Sequence, residues 1–235
     1  MDLSGKTCLV TGSSRGIGYA IARALGKVGA DLVINGRNDD EVQKVVGRLN
    51  QECSGRIHGV EADISRVDQC EHLISCALEE FGRLDVLINN AGIGIFKSIE
   101  ELSLQDWRMQ IDTNLGGTFV CSQLAVPHLL KTQGWIVNVG SLACRNSFAG
   151  GTGYNASKFG LLGMTEAMML DLRQKGIRVS IVMPGSVDTS FSPGSPKAWA
   201  LSSDDVAEAT LHLLSYPNNA HMSRIEMRPS QPPLT

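Results

Sequence analysis

The glycine-rich stretch at residues 11–18, TGSSRGIG, constrains the fold more than any other part of the sequence. An apolar run, Lys6–Val10, precedes it, apolar residues recur at helical spacing over 19–28, and a second apolar run follows at 32–34. A strand, a turn, a helix and a strand within about thirty residues form a βαβ unit. Glycines in such a turn let backbone amides approach a pyrophosphate at the positive end of the helix dipole. The stretch therefore predicts a dinucleotide-binding turn built on Gly12, Gly16 and Gly18.

The alternation of strands and helices continues along the chain, which predicts an α/β fold. The strands are continuous apolar runs, as expected for a mostly parallel sheet covered by helices on both faces. We expect residues 1–235 to form one domain, a doubly wound, Rossmann-type three-layer sandwich with about seven strands. Residues 190–200 are predicted to be a short lid and 229–235 a loose tail. Further helices are predicted at 39–49, 67–81, 104–130, 154–173 and 204–214, and further strands at 57–60, 84–88, 135–139, 177–182 and 224–227.

Composition and charge exclude several classes of protein. The net charge is -3 and the lysines and arginines are scattered, which argues against binding nucleic acids or anionic membranes through a basic surface. The six cysteines include no CxxC pair and no metal-binding spacing with histidine, so we expect free thiols in the reducing cytoplasm and no metal site. The first apolar stretch, Cys8–Val10, is too short for a signal peptide or a membrane span. A small-molecule or carrier-bound substrate is therefore the expected partner.

The segment after the second strand bears on the choice of cofactor. It reads Asn35-Gly36-Arg37 and lacks the carboxylate that would bind the 2′-hydroxyl of NAD and repel a 2′-phosphate. A guanidinium pairs with a phosphate in a bidentate manner, and Arg37 and Arg15 are both in reach of this region. We therefore expect NADP(H) to be preferred. NAD(H) stays possible, because Asp39 and Asp40 lie just beyond and can bind the ribose instead.

Tyr154 and Lys158 are the first candidates for catalysis. Four residues apart on a helix, they lie one turn apart on the same face. A lysine cation favours the phenolate and lowers the tyrosine pKa from its usual value of ~10, which suits proton transfer to or from a substrate oxygen near neutral pH. Ser141 follows an apolar strand, so its hydroxyl can lie beside the same oxygen. From this stretch alone, a Tyr/Lys pair on the protein surface is the other open interpretation.

Four separated motifs resemble, in the same order, those of the short-chain dehydrogenase/reductase family. They are residues 11–18, Asn89-Asn90-Ala91-Gly92, Ser141 with Tyr154 and Lys158, and Pro184-Gly185, and the resemblance covers about residues 5–228. It implies that Tyr154 is the catalytic acid/base, that Lys158 lowers its pKa and binds the nicotinamide ribose, and that Ser141 polarises the substrate carbonyl. It also implies that Asn114 supports a proton relay to Lys158. The residues themselves leave a capping or kinking role for Asn114 open, because two glycines follow it closely.

The same resemblance implies which other residues contact the cofactor. Asp63 would lie beside the adenine, and the turn at 89–92 would flank the cofactor. The backbone after the sixth strand would bind the nicotinamide carboxamide. Together with Tyr154 and Lys158, the expected cofactor-binding residues are Gly12, Ser14, Arg15, Gly16, Ile17, Gly18, Arg37, Asp63, Ile64, Asn90, Ala91, Gly92, Pro184, Gly185, Val187 and Thr189.

These expectations lead to an NADP(H)-dependent oxidoreductase that interconverts a carbonyl and a secondary alcohol, of the 3-oxoacyl-carrier (ketoacyl) reductase type. A sugar, polyol or hydroxy-acid dehydrogenase of the same family is an alternative, and a non-catalytic NADP-binding regulatory protein is another. The expected substrate walls are mostly apolar, at 93–96, Leu142, Phe148, Val187 and the lid, although core packing explains the same residues. By analogy with the family we expect a homo-oligomer, a dimer or tetramer, with Phe159, Leu162, Met164, Met168 and Met169 as an apolar surface on the catalytic helix.

Overall fold

The computed structural model describes residues 1–191, 198–217 and 219–232. The predicted lid at 190–200 and the predicted tail at 229–235 therefore lie partly outside the described residues, at 192–197 and 233–235. The strands and helices alternate as follows: β1 Thr7–Val10, α1 Gly16–Lys27, β2 Asp31–Gly36, α2 Asp39–Glu52, β3 Ile57–Glu61, α3 Val67–Phe81, β4 Val86–Asn89, α4 Leu104–Ile111, α5 Thr118–Thr132, β5 Trp135–Val139, α6 Thr152–Leu172, β6 Arg178–Pro184, α7 Ser203–Leu214 and β7 Arg224–Met227.

The strands form one parallel sheet in the order β3-β2-β1-β4-β5-β6-β7. In the register of the central strands, Val10 at the end of β1 lies between Ile34 of β2 and Ile88 of β4. The strand order reverses between β1 and β4, and a parallel sheet of this kind binds ligands in the crevice at that point, beyond the carboxyl ends of the strands. The predicted doubly wound, Rossmann-type sandwich with seven strands is confirmed.

Two apolar cores lie on opposite faces of the sheet. On β1, Cys8 and Val10 pack into the core with α1, α2 and α7, whereas Leu9 between them packs into the core with α3, α5 and α6. This alternation is the period of two that places successive strand side chains on opposite faces. Helices cover both faces of the sheet, which explains why the strands are continuous apolar runs in the sequence.

The helical region predicted at 104–130 is interrupted. A π-helical segment, Asp112–Gly117, separates α4 from α5. Gly117 packs so closely on the backbone of Ile64 that a side chain at this position would collide with the Ile64 carbonyl. The widened turn displaces the backbone at Asn114, and such π-helical turns occur frequently at functional sites.

Within the described ranges, no helix is both long and apolar enough to cross a membrane. The same residues contain no group of three or more His, Cys, Asp or Glu side chains arranged to hold a metal ion. All six cysteines are described, and each is a free thiol.

Candidate active site

The glycine turn between β1 and α1 has no room for side chains. Gly12 and Gly16 have φ values of 62° and 57°, in the left-handed region that favours glycine. A Cβ on Gly12 would lie 2.7 Å from the Cα of Ala91, and one on Gly18 would collide with the Asn90 side chain and the Gly12 carbonyl. The turn that begins α1 and the turn that follows β4 therefore pack directly against each other.

Asn35, at the end of β2, fixes the glycine turn from the other side. Its Oδ1 accepts a hydrogen bond from the Gly12 amide at 3.1 Å, and its Nδ2 donates to the carbonyls of Val60 at 3.3 Å and Ala62 at 3.1 Å. The side chain is buried. Asn35 thus joins the ends of β1, β2 and β3. The sequence did not predict this role, because residue 35 was considered only as a position that lacks a carboxylate.

Asn90 and Thr11 connect the glycine turn to β4. Asn90 Nδ2 donates to the carbonyls of Thr11 and Gly12, both at 2.9 Å. Thr11 Oγ1 accepts from the amides of Asn90 at 3.0 Å and Ala91 at 3.1 Å. Asn89 points elsewhere, because its Nδ2 donates to Ser122 and Asn138 in the core. Asn90 is therefore the asparagine of this motif that lies at the cavity.

A cavity of about 590 Å³ opens along the carboxyl ends of the strands. Nearly every predicted cofactor residue lines it; Gly18 lies behind the turn and Asn114 behind the cavity wall. The predicted residues that line the cavity are Gly12, Ser14, Arg15, Gly16, Ile17, Arg37, Asp63, Ile64, Asn90, Ala91, Gly92, Ser141, Tyr154, Lys158, Pro184, Gly185, Val187 and Thr189.

The end of the cavity beside β2 is cationic. Arg15 and Arg37 are both exposed there. Arg15 Nη1 lies 4.0 Å from Glu41 Oε2, and no ion pair to Arg37 forms among the described residues. Asp39 and Asp40, which left NAD(H) possible, lie in the first turn of α2 and are not part of the described cavity wall.

Asp63 follows β3 at the same end of the cavity and is half-buried. Its Oδ1 accepts hydrogen bonds from the Ser65 amide at 3.0 Å and the Ser65 hydroxyl at 2.8 Å, and its own amide donates to Gln69 Oε1 at 2.6 Å. These bonds fix the loop that carries Ile64. They hold Asp63 on the cavity wall, and its contact with the adenine stays a prediction.

Tyr154, Lys158 and Ser141 meet in the middle of the cavity. Helix α6 carries Tyr154 and Lys158 one turn apart, and both are buried. Ser141 follows β5 and caps the short 3-10 turn Leu142–Cys144, with its Oγ accepting from the Ala143 amide at 3.1 Å. Lys158 Nζ lies 5.8 Å from the centroid of the Tyr154 ring and donates to the Val139 carbonyl at 3.0 Å. The interpretation of the pair as surface residues is therefore wrong.

The ionisation of the pair differs from the prediction. Burial raises the pKa of Tyr154 to about 12, although a hydrogen bond from Ser141 opposes the rise. Burial also lowers the pKa of Lys158 from its ordinary value. The expected lowering of the tyrosine pKa by the lysine is not seen in this structure: desolvation of the phenolate dominates, and the Lys158 ammonium is engaged with the Val139 carbonyl.

Asn114, in the π-helical segment, joins the cavity wall to α6. Its Oδ1 accepts from the Ile93 amide at 2.8 Å, and its Nδ2 donates to the Ile93 carbonyl at 2.9 Å and to Ser157 Oγ at 3.0 Å. Ser157 Oγ in turn donates to the Tyr154 carbonyl at 2.8 Å. Asn114 is therefore linked through Ser157 to the backbone of Tyr154. The described side chains of Asn114 and Lys158 form no direct hydrogen bond, so the proton relay stays a prediction.

The other end of the cavity, beyond Tyr154, has the predicted apolar walls. Among the residues named from the sequence, the described part of the chain places these at the cavity: Ile93, Phe96, Leu142, Phe148, Val187, Ser190 and Phe191. The rest of the lid, 192–197, lies outside the described residues. Sequence reasoning missed the polar lining residues Asn146, Ser147 and Ser186, which carry no motif in the sequence.

Comparisons with known proteins agree with this geometry. The family model described as short chain dehydrogenase matches residues 6–198. Glucose 1-dehydrogenase 2 of Bacillus subtilis (strain 168) is 37% identical over 199 residues, which cover 83% of this chain and 77% of that protein.

Two solved structures have the same fold over almost the whole chain. A metagenomic short-chain oxidoreductase in complex with NADP is 33% identical, with a TM-score of 0.87, over 98% of this chain and 99% of that one. An alcohol dehydrogenase from the archaeon Thermococcus sibiricus, complexed with 5-hydroxy-NADP, is 31% identical, with a TM-score of 0.91 and the same coverage. The motifs, the sheet order and these matches together place the chain in the short-chain dehydrogenase/reductase family.

Proposed function

We propose that this protein is an NADP(H)-dependent oxidoreductase that transfers a hydride between nicotinamide and a carbonyl or secondary alcohol. The observation that carries the proposal is a single cavity with the glycine turn and two arginines at one end and Tyr154, Ser141 and Lys158 at its centre. Exposed cations that can bind a phosphate and a buried proton donor are the two features that this chemistry requires.

The residues fit the cofactor. Helix α1 begins at Gly16 on the cavity wall, and the first amides of a helix have no partner within it, which suits the pyrophosphate. Arg15 and Arg37 would bind the 2′-phosphate, and the absence of a carboxylate at residues 35–37 removes a source of repulsion. When bound, the nicotinamide supplies or accepts the hydride.

The protein's own residues then manage one oxygen and one proton. During reduction the carbonyl oxygen gains negative charge, which the hydroxyls of Ser141 and Tyr154 stabilise as hydrogen-bond donors. Tyr154 is protonated at neutral pH, as an ordinary tyrosine already is and as its raised pKa ensures, and it transfers its proton to that oxygen. Lys158 Nζ lies 5.8 Å from the centroid of the Tyr154 ring, so its ammonium would attract the phenolate that forms, at a distance that leaves burial dominant in the Tyr154 pKa.

For the substrate, the first candidate is the 3-oxoacyl type that the sequence predicts, since the apolar wall beyond Tyr154 suits an acyl chain. A second candidate is a sugar, favoured by the similarity to a glucose 1-dehydrogenase. Oxidation of NADPH with a panel of β-ketoesters, diketones and quinones, together with reduction of NADP⁺ by glucose, separates the two. A protein that binds NADPH tightly and turns over none of these would instead be a regulatory protein.

Replacement of Tyr154 tests the reaction. We expect Tyr154→Phe to lower turnover by at least about 100-fold, the lower range for loss of a general acid, while NADPH binding stays nearly unchanged. Tyr216→Phe is the matched control, because Tyr216 packs against His212 away from the cavity. Near-normal turnover of Tyr154→Phe on a verified substrate would show that another group transfers the proton.

Replacement of Arg37 tests the choice of cofactor. Arg37→Ala removes one of the two cations at the β2 end, so NADPH affinity should fall by about 10-fold or more while NADH affinity changes little. Arg48→Ala, an exposed arginine on α2 outside the cavity, serves as the control. Tighter binding of NADH than of NADPH by the unmodified protein would contradict the cofactor assignment.

The apolar residues predicted as the oligomer surface of α6 are mostly used for packing within the monomer. Four of the five apolar residues assigned to it, Leu162, Met164, Met168 and Met169, pack against the cores. Phe159 and Leu170 on α6 and Phe119 and Leu130 on α5 are the exposed ones, and each pair is spaced to lie on one helix face. We propose that copies associate through α5 and α6; light scattering of the unmodified protein and of Phe159→Ser would test this.

We further propose a single domain and a cytoplasmic location. Residues 1–235 act as one catalytic domain, because both cores pack on one sheet. A cytoplasmic location is favoured by the six free thiols, which suit a reducing compartment. Limited proteolysis would test the first statement, and localisation of a tagged protein the second.

A further inference from the structure

We propose that the end of the cavity beyond Tyr154 is an aromatic pocket that selects ketones with an uncharged aryl group on the carbonyl carbon. The proposal rests on the proposed function, because it names the group that the pocket holds while Tyr154 acts on the oxygen. The aromatic pocket consists of the rings of Phe96, Phe148, Phe191 and Tyr154.

The four rings form one contiguous cluster. The centroid of Phe96 lies 5.4 Å from that of Tyr154 in an edge-on arrangement at 76°, and the centroid of Phe191 lies 5.9 Å from it at 53°. Phe148 lies 5.7 Å from Phe96 at 58°. These separations and tilts are the ones that aromatic rings prefer. Because the four rings line one cavity, we expect one substituent of a carbonyl bound at the Tyr154 hydroxyl to contact the phenylalanine rings.

The phenylalanine rings are incompletely covered although they line a cavity. Phe96, Phe148 and Phe191 are 40%, 46% and 42% exposed, respectively. Removing apolar ring surface from water is favourable, so a ligand that covers these rings gains binding free energy. An aryl substituent covers them best, because its edges and faces reproduce the ring–ring geometry already present in the cluster.

Two glycines leave room for the phenylalanine rings, because they have no side chain. A Cβ on Gly94 would lie 2.8 Å from Phe96 Cζ and 2.9 Å from Phe191 Cε1. A Cβ on Gly151 would lie 2.9 Å from Phe148 Cε2. Neither glycine has a left-handed φ, so lack of space rather than backbone conformation excludes a side chain at both positions. The arrangement of the rings is therefore specified by the sequence around them.

The lining of the aromatic pocket disfavours charged and highly hydroxylated substituents on the substrate. The described cavity wall contains four charged residues. Arg15, Arg37 and Asp63 belong to the end beside β2 and β3, and Lys158 donates to the Val139 carbonyl behind Tyr154. The described residues of the aromatic pocket thus offer no ion-pair partner to a carboxylate or phosphate on the substrate. Asn146, Ser147 and Ser186 also line this end of the cavity and can bond one polar group, but a substituent with many hydroxyls would lose hydrogen bonds to water where it faces the rings.

Three β-ketoesters that share an ethyl ester test the pocket: ethyl 3-oxo-3-phenylpropanoate, its cyclohexyl counterpart and ethyl 3-oxobutanoate. Each ring–ring contact is worth about two- to tenfold, so we expect kcat/KM with NADPH to be at least about tenfold higher for the phenyl ester than for the methyl ester. The cyclohexyl ester should lie between them, because it has the apolar area without the aromatic geometry.

Single variants Phe96→Leu, Phe148→Leu and Phe191→Leu should each lower kcat/KM for the phenyl ester by about two- to tenfold and change the methyl ester less than about threefold. Gly94→Ala should do the same by displacing two rings. Phe81→Leu is the matched control, because the Phe81 ring on α3 packs under Arg56 outside the cavity wall, and it should leave the ratio between the esters unchanged.

A binding measurement distinguishes failure of the aromatic pocket from failure of the proposed reaction. Calorimetric titration of the enzyme saturated with NADP⁺ should show tighter binding of the phenyl ester than of the methyl ester. Selective binding without turnover of any ester would support the pocket and overturn the proposed reaction. Equal binding and equal kcat/KM of the phenyl and methyl esters, or faster oxidation of glucose than of 1-phenylethanol with NADP⁺, would overturn the pocket while leaving the oxidoreductase assignment in place.

Discussion

Truncation of Asn35 tests whether the cofactor turn depends on a side chain that never reaches the substrate. Asn35→Ala removes one acceptor, used by the Gly12 amide, and two donors, used by the carbonyls of Val60 and Ala62. Because the side chain is buried, water replaces these bonds poorly. At roughly 1–1.5 kcal/mol for each of the three groups, the free energy of unfolding should fall by about 3–5 kcal/mol.

The assay is thermal or urea unfolding, with NADPH affinity measured in parallel. For a chain of this size about 1 kcal/mol lowers Tm by about 2–4 °C, so the expected decrease is about 6–20 °C. Asn38→Ala is the matched control, because the exposed Asn38 caps α2 with a single bond to the Glu41 amide at 2.9 Å and should cost only about 1 kcal/mol. NADPH affinity should also fall for Asn35→Ala, since Gly12 loses its anchor.

Asn35→Asp separates lost hydrogen bonds from lost volume. The substitution keeps the acceptor and the size of the side chain but aims a carboxylate oxygen at two carbonyl oxygens. We therefore expect it to destabilise the protein at neutral pH at least as much as alanine does. If both variants at residue 35 lost no more stability than Asn38→Ala, the assignment of Asn35 as the link between the three strand ends would be refuted.

Two further predictions concern ionisation and packing. The tyrosinate absorbance of the wild type minus that of Tyr154→Phe should show this phenol about one-tenth ionised at pH 11, as a pKa of about 12 requires. Relative to the variant, the wild type should lose about 1.4 kcal/mol of stability per pH unit from pH 10 to 12, because Tyr154 loses its proton at lower pH in the unfolded chain than in the folded one. If the spectra showed Tyr154 half-ionised at or below pH 10, the effect of Lys158 would outweigh burial. Gly18→Ala should lower NADPH affinity by about 10-fold or more and destabilise the protein by about 1–3 kcal/mol, because the new Cβ collides with Asn90. Gly47→Ala on α2, which meets no atom within 4 Å, should instead be neutral or stabilising, and equal effects of the two variants would contradict the packing argument.

Local patterns in the sequence were sufficient for the fold. The bounds predicted for α3, β5 and β7 match the structure, and the others differ by a few residues at their ends. Periodicity failed at the long helical region, because a hydrophobic pattern does not distinguish an α-helix from a π-helical turn such as the one at Asp112–Gly117, where Gly117 packs on the distant Ile64. It also failed to identify the outer face of α6, a helix with apolar residues on nearly every side.

The site was predictable to the extent that it consists of motifs. Glycines and the Ser141, Tyr154 and Lys158 pattern have fixed spacings, and the structure brings them to one cavity. The function of Asn35 was not predictable, because its three hydrogen bonds join strand ends that only the sheet order makes neighbours. The direction of the Tyr154 pKa shift was predicted wrongly for a related reason: spacing identifies the cation, but burial comes from walls that are distant in the sequence.

The raised pKa of Tyr154 has a consequence for the direction of catalysis. A phenol with a pKa of about 12 is protonated at neutral pH, which is the form that donates to a carbonyl oxygen during reduction. Oxidation of an alcohol needs the phenolate, whose formation in a buried site depends on the neighbouring Lys158 ammonium. Alcohol oxidation therefore requires that Tyr154 first lose its proton, whereas carbonyl reduction does not. Reduction should proceed without a basic limb up to about pH 9, whereas the rate of alcohol oxidation should rise with pH across the same range, and parallel pH profiles in both directions would refute this account.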